Sequence, residues 1–241
     1  MFKNRKANNI SCLKCFVSSI CLARNISTDE LIEIDNFISN IIELKKDEHA
    51  YFSGDPMADI YSVYQGSAKQ FILNEEGVEQ IENFYLPGDL ISLESIPNGV
   101  HLYSLRALED TKLCIIPISD LTKQMQVSTA FTQRVLNIYS YKMQNDKNTP
   151  NTKSARQRVI DILLNIFYRL NERRLDNATM TLPMSQLDIS YFLGMSHETV
   201  NRILRQLHNE KYILLNKKKI YINDVEHFKS LGSFVHTRGQ N

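Results

Sequence analysis

Five of the eight glycines in this 241-residue chain stand at positions 54, 66, 77, 88 and 99, at intervals of 12, 11, 11 and 11 residues. In a glycine-poor chain such spacing restricts what lies between to short extended runs separated by turns. The intervening and following segments agree: Ile60-Tyr61-Ser62-Val63-Tyr64, Gln70-Phe71-Ile72-Leu73, Gln80-Ile81-Glu82-Asn83-Phe84 and Leu113-Cys114-Ile115-Ile116 are rich in β-branched and aromatic residues. Strands this short and this regularly spaced predict an antiparallel β-roll with hairpin turns at the glycines, not a parallel sheet with crossover helices.

Helical periodicity flanks the roll. Ser27-Thr28-Asp29-Glu30 reads as a helix start, followed by Leu31, Ile34, Ile38 and Ile41 at three- and four-residue steps. From about Ser119 to Asp146 a short helix and then a long one are expected. Phe131, Val135 and Ile138 recur on the long helix, with Leu136, Tyr139 and Met143 beside them. More than one apolar stripe on such a helix implies contact on two sides, and a partner subunit is the simplest second surface. The polar, proline-containing segment from Asn145 to Thr152 reads as a hinge. The whole is an α+β chain, with a cysteine-bearing segment at 1–26, a roll at 27–118, a dimerisation helix at 119–147 and a separate carboxy-terminal domain at 153–241.

Charge separates the two parts. Residues 1–152 carry 14 Lys and Arg against 19 Asp and Glu, residues 153–241 carry 14 against 8, and the overall +1 hides that division. A basic carboxy-terminal domain suits an anionic partner, with double-stranded DNA the usual one. Inside it, Val159, Ile162, Leu163, Ile166, Phe167 and Leu170 mark a buried helix. Ser185 can cap a short helix from Gln186 to Leu193, Gly194-Met195-Ser196 turns, and a second helix starts at His197. Val200, Ile203, Leu204 and Leu207 form its apolar side, while Glu198, Asn201, Arg202 and Arg205 lie opposite. Glutamate accepts from cytosine, arginine donates twice to guanine and asparagine pairs with adenine, so Glu198, Asn201 and Arg202 are the base-contact candidates. Tyr212 to Ile222 reads as strand, basic turn, strand: a wing whose Lys217, Lys218 and Lys219 can neutralise phosphates. Ser185, His197 and Arg205 complete the backbone-contact set.

Cys12-x2-Cys15-x5-Cys21 supplies three thiols on one short segment, and Cys114 at the end of the roll can supply a fourth. Four thiolates suit an iron–sulfur cluster or zinc alike, and their spacing leaves both readings, and a metal-free one, open. No apolar stretch reaches the roughly 18–20 residues of a membrane span. The amino terminus also lacks a secretory signal, so a cytoplasmic protein with no membrane partner is expected. No Gly-rich phosphate loop, HExxH or GxSxG marks a substrate site, so no enzyme is expected. The other functional class compatible with the cysteines, an iron–sulfur electron carrier, would leave the helix-turn-helix without a task.

The order of parts, together with Leu86-Pro87-Gly88-Asp89-Leu90-Ile91, Ala107-Leu108-Glu109 through Cys114-Ile115-Ile116-Pro117 and the cysteine spacing, resembles the Crp/Fnr regulator family over nearly the whole chain. The nearest branch is the oxygen-sensing FNR one. The resemblance implies a roll of the cyclic-nucleotide-binding type and a winged helix-turn-helix. It further implies a 4Fe-4S cluster on Cys12, Cys15, Cys21 and Cys114 that promotes homodimerisation without oxygen and is degraded by oxygen. Ile20 falls where that branch shields its cluster, and Asp146 where an acidic residue repels its twin across the dimer. Phe131, Val135, Ile138 and Met143 are assigned to the dimer helix. Glu75, Glu76 and Gly77 match a hairpin that relatives use to touch RNA polymerase.

Two departures qualify the resemblance. Where the FNR recognition helix reads Glu-x-x-Ser-Arg, this chain has Glu198-x-x-Asn201-Arg202, which changes the residue facing the centre of each half-site. Cyclic-AMP-binding members carry a Gly-Glu pair and an Arg-Ser or Arg-Ala pair in the roll. Here Gly88-Asp89 is followed by Pro97-Asn98-Gly99-Val100-His101 where the arginine would fall, so no cyclic nucleotide is expected.

Overall fold

The computed structural model describes residues 5–7, 11–38, 40–146, 153–171, 179–217 and 219–233. The chain divides into two units, Met1–Ser140 and Tyr141–Asn241.

The first unit opens with β1 (Arg5–Ala7) and a 3-10 turn at Cys12–Lys14, then α1 (Thr28–Phe37). The Ser27 hydroxyl accepts from the Glu30 N–H and the Glu30 carboxylate accepts from the Ser27 N–H, a reciprocal cap that satisfies two otherwise unpaired donors. The strands that follow are β2 (Asn40–Leu44), β3 (His49–Tyr51), β4 (Asp59–Gln65), β5 (Ala68–Leu73), β6 (Glu79–Tyr85), β7 (Leu90–Ile91), β8 (Ser104–Ala107) and β9 (Thr111–Pro117). They form two antiparallel sheets, ordered β1-β2-β9-β4-β7 and β3-β8-β5-β6.

The two-sheet partition corrects the hairpin reading of the glycines. Only Gly77 turns a hairpin between paired strands, β5 and β6. Gly54, Gly66 and Gly88 stand where the chain passes from one sheet to the other. Gly66 shows what such a crossing demands: its φ is +82°, and a Cβ there would lie 2.5 Å from the Asp110 carbonyl oxygen. No side chain fits between backbones that close.

Neighbouring residues on the five-stranded sheet enter different cores. Ile42, Tyr61, Ile91, Leu113 and Ile115 pack in the roll interior, while Ile41, Ile60, Leu90, Cys114 and Ile116 join a second cluster with α1 and the cysteine segment. Strand side chains alternate in direction, so a sheet covered on both sides reads as an unbroken apolar run. Ile41 therefore belongs to β2, not to the preceding helix, which ends at Phe37.

After β9 come α2 (Ile118–Val127) and α3 (Thr129–Asp146). Ser128 joins them: its hydroxyl accepts from the Phe131 N–H at 3.0 Å and donates to Glu30 of α1. Phe131 and Val135 are buried in the second cluster of their own unit, with Ile138 packed against it. These side chains of the expected dimer helix are thus packed within their own chain. The apolar side chains that α3 leaves exposed are Leu136 (55%), Tyr139 (38%) and Met143 (44%). Asp146 closes α3, but its side chain lies outside the described residues. Asn145 and Asp146 are thus helical, and the remainder of the expected hinge, 147–152, also lies outside the described residues.

The second unit contains α4 (Ala155–Asn171), β10 (Thr179–Thr181), α5 (Gln186–Leu193), α6 (His197–Asn209), β11 (Ile213–Asn216), β12 (Lys219–Ile222) and α7 (Val225–Leu231). The wing is a three-stranded antiparallel sheet ordered β10-β12-β11. Eight buried residues of α4, including Val159, Leu163 and Ile166, carry the centre of its core. Asp161, itself buried, accepts from Lys153 Nζ at 2.7 Å and from the Ser233 N–H at 2.8 Å and hydroxyl at 2.9 Å. One carboxylate thus ties Lys153 and Ser233, 80 positions apart, to α4. A buried charge held by three donors is satisfied where an isolated one would not be tolerated.

Candidate cysteine site and nucleic-acid interface

The four cysteines meet on one side of the five-stranded sheet. Cys114 leaves β9 on the face away from the roll interior, and Cys12 and Cys21 are buried in the same apolar cluster, with half-buried Cys15 packed against it. The Cys12 N–H donates to the Asp35 carboxylate on α1, which anchors the segment at its start. At its end, Arg134 of α3 donates to the Cys21 carbonyl from Nε at 3.0 Å and Nη2 at 2.8 Å, and to the Ile20 carbonyl at 3.2 Å. Ile20 is buried and seats on Gly88, where a Cβ would come within 2.7 Å of its Cγ1. Gly88 has φ +89°, so the Leu86–Asp89 turn both needs glycine and leaves the hollow that receives Ile20.

This environment opposes thiolate charge. Burial pushes the Cys114 thiol up to about 12, helped by the nearness of Cys15 and Cys21. Burial raises Cys12 further, with Cys21, Asp35 and Cys114 adding repulsion, and burial raises Cys21 as well. Several thiolates can exist together here only if a cation compensates them, which is the chemistry of a thiolate-held metal or cluster. Donor type and number fit a four-thiolate site. Among the described residues no three of the His, Cys, Asp and Glu side chains are yet drawn close enough to hold a metal ion by themselves.

In the second unit Ser185 caps α5: its hydroxyl accepts from the Asp188 N–H at 3.0 Å and donates to Asp188 Oδ2 at 2.6 Å. Gly194 ends the helix at φ +60°. Ser196 caps α6, accepting from the Thr199 N–H at 3.1 Å. Val200, Ile203, Leu204 and Leu207 are buried, while His197, Glu198, Arg202 and Arg205 are exposed. Asn201 is half-buried, its amide 3.5 Å from His197 Nε2. The helix therefore offers a polar, partly basic face above a fixed apolar one, the arrangement that can enter a major groove. Lys217 and Lys219 are exposed where Asn216 and Lys219 pair across the ladder, and Lys218 lies outside the described residues. The Ser185 hydroxyl is committed to its cap, so a phosphate would meet it only as a further partner.

Residues that periodicity did not single out hold this interface together. Arg158 of α4 donates to the Leu193 carbonyl at the end of α5, and Arg156 pairs with Glu210 just after α6. Both fix α4 against the helix-turn-helix. The signal of Arg158 in the sequence is weak because a backbone carbonyl has no residue identity, and that of Arg156 because its partner lies 54 positions away.

At the roll hairpin, Glu75, Glu76 and Gly77 are exposed, flanked by exposed Leu73 and Val78, and Asn74 Oδ1 accepts from the N–H groups of Glu76 and Val78. Inside the roll, polar groups engage one another. Tyr51 stacks on His101 at 3.6 Å between ring centres, and Tyr51 and Ser92 share a hydrogen bond at 2.5 Å. Tyr85 donates to Gln70, which donates to Glu94, both at 2.7 Å.

A two-sheet roll followed by a helix-turn-helix with an exposed reading helix defines a DNA-binding transcription regulator, not an enzyme. Residues 41–128 match the cyclic nucleotide-binding domain and residues 157–231 the Crp-like helix-turn-helix domain. The chain belongs to the Crp/Fnr family. It is similar to the "Anaerobic regulatory protein" of Pasteurella multocida, 29% identical over 219 residues that cover 90% of this chain and 80% of that protein. It is 27% identical over 220 residues to the "Fumarate and nitrate reduction regulatory protein" of Yersinia pestis, covering 90% and 88%. Among solved structures, FixK2 from Bradyrhizobium japonicum superposes with a TM-score of 0.71 at 26% identity, over 81% of this chain and 98% of that one. Among the described residues no helix is long and apolar enough to cross a membrane.

Proposed function

We propose that this chain is an oxygen-responsive, cytoplasmic transcription regulator in which Cys12, Cys15, Cys21 and Cys114 hold a 4Fe-4S cluster. The single observation that carries the reading is the meeting of three amino-terminal cysteines with the outward-facing Cys114 in one buried cluster. The names of the relatives, an anaerobic regulator and a fumarate and nitrate reduction regulator, point the same way. When bound, the cluster supplies oxygen sensitivity and the charge compensation that four thiolates require. Its presence favours a homodimer, which binds a two-half-site promoter element, and its loss in oxygen releases the DNA. The exposed Leu136, Tyr139 and Met143, at i, i+3 and i+7 on α3, support a second copy on that face. The acidic tip Glu75-Glu76-Gly77 between exposed Leu73 and Val78 suits a contact with RNA polymerase. Cyclic nucleotide is not the expected signal, since Pro97-Asn98-Gly99-Val100-His101 stands where cyclic-AMP-binding members carry their arginine.

The test is iron, acid-labile sulfide and zinc per chain in protein purified without oxygen, with visible spectra before and after air. About four irons and four sulfides per chain, lost in air, are expected. Stoichiometric zinc, or no metal with DNA binding unchanged in air, would sink the oxygen switch.

The wing offers a separate prediction. Lys217 holds φ +54°, a left-handed conformation that costs a lysine about 1 kcal/mol and suits asparagine better. Lys217→Asn should therefore raise stability by several tenths of a kcal/mol in denaturant titration. It should also weaken DNA binding and lower the salt slope of log K by about one. An unchanged slope would remove Lys217 from the phosphate contacts.

A further inference from the structure

We propose that Arg134 is the positioning residue through which α3 reads the state of the cysteine segment. It is not a cluster ligand and it is not on the exposed stripe of α3. Its guanidinium donates three hydrogen bonds to the carbonyls of Ile20 and Cys21. Cys21 is the last cysteine of the segment, so the arginine grips the backbone of a thiol-bearing residue directly.

Both ends of this link are fixed. On the helix side, Phe131 and Val135 flank Arg134 in sequence and are buried in the cluster that holds Cys12, Cys21 and Cys114. On the segment side, Ile20 is seated on Gly88, and the Ile20 and Cys21 N–H groups both donate to the Val17 carbonyl at 3.0 Å. A planar guanidinium on two neighbouring carbonyls tolerates little displacement, because its donors have fixed directions. If the Cys21 backbone moves, the half-buried Arg134 loses the two carbonyls it grips, and α3 must shift to keep or replace those bonds. Order in residues 17–23 and the placement of α3 are therefore coupled, with Arg134 the directional link beside their shared apolar packing, and by linkage each stabilises the other. The sensory half of the proposal rests on the cluster reading above; the mechanical half does not.

The experiment compares the full-length chain with Arg134→Gln and Arg134→Lys, anaerobically, both iron-loaded and after chelation. It measures amide exchange, iron per chain and sedimentation. Arg134→Gln should keep its iron, speed exchange at least tenfold in residues 17–23 and 131–138 together, and raise the dimer dissociation constant of the loaded protein at least tenfold. Arg134→Lys, which keeps the charge but not the fork, should fall between and serves if the glutamine variant does not fold. Acceleration in one segment alone, unchanged exchange in both, or a weakened dimer with an undisturbed segment would overturn the link. If the wild type binds no iron, the cluster reading fails, and the exchange comparison on the metal-free chain still decides the coupling.

Discussion

On the proposed cluster reading, Cys114→Ser should abolish the iron-loaded dimer while leaving the roll folded. Cys114 is the only cysteine on the sheet itself, and the other three reach it from a separate segment. Without it the remaining donors belong to residues 12–21 alone, and no ligand ties that segment to β9. Iron per chain should fall to background, and sedimentation should show monomer with or without air. Affinity for a two-half-site DNA should drop about 10²–10⁴-fold, the gain that linking two binding modules supplies. The fold should survive because Leu113 and Ile115, on either side, face the other core. A serine hydroxyl in the cysteine cluster should cost about 1–2 kcal/mol, read as a modest shift of the denaturation midpoint. Retained iron and retained dimer in this variant would exclude Cys114 as a ligand and leave the three amino-terminal cysteines to another role.

What the sequence reveals about this fold is mostly what is local. Ser27, Ser185 and Gly194 announce their helix ends because a cap needs its own residue and one a few positions away. The amphipathic faces of α4 and α6 are legible for the same reason. The partition of the roll is not, because a glycine at a hairpin and a glycine at a sheet crossing obey the same backbone requirement. Likewise Ile41 continues the periodicity of α1 and yet lies in β2, since Ile41 and Ile42 are buried on opposite faces of one sheet. On α3 both apolar stripes are visible, but which is covered by the chain's own cysteine segment depends on packing from residues over a hundred positions away. Arg134 and Arg158 were beyond reach, because their partners are backbone carbonyls. The cysteine set itself was legible from count and spacing, whereas its convergence on one side of β9 needed the alternation of that strand.

Arg202→Ala should be the most damaging substitution for DNA recognition that leaves the protein intact. Arg202 is exposed on α6, on the opposite side from Val200, Ile203, Leu204 and Leu207, so removing it opens no cavity. A bidentate arginine on guanine contributes about 1–3 kcal/mol of discrimination per site. A dimer reads two half-sites, so specific affinity should fall roughly 10–10⁴-fold, at about 1.4 kcal/mol per factor of ten. The loss should be largest on the preferred sequence and small on random DNA, because the wing lysines proposed to meet phosphates remain. Asn201→Ser supplies the contrast. It changes a half-buried side chain that sits against His197, so it should alter which base is preferred at the centre of each half-site more than it alters total affinity. Binding titrations on a set of single-base half-site variants separate the two. If Arg202→Ala weakened all sequences equally, Arg202 would be a phosphate contact, and the reading of bases would shift to Glu198 and Asn201.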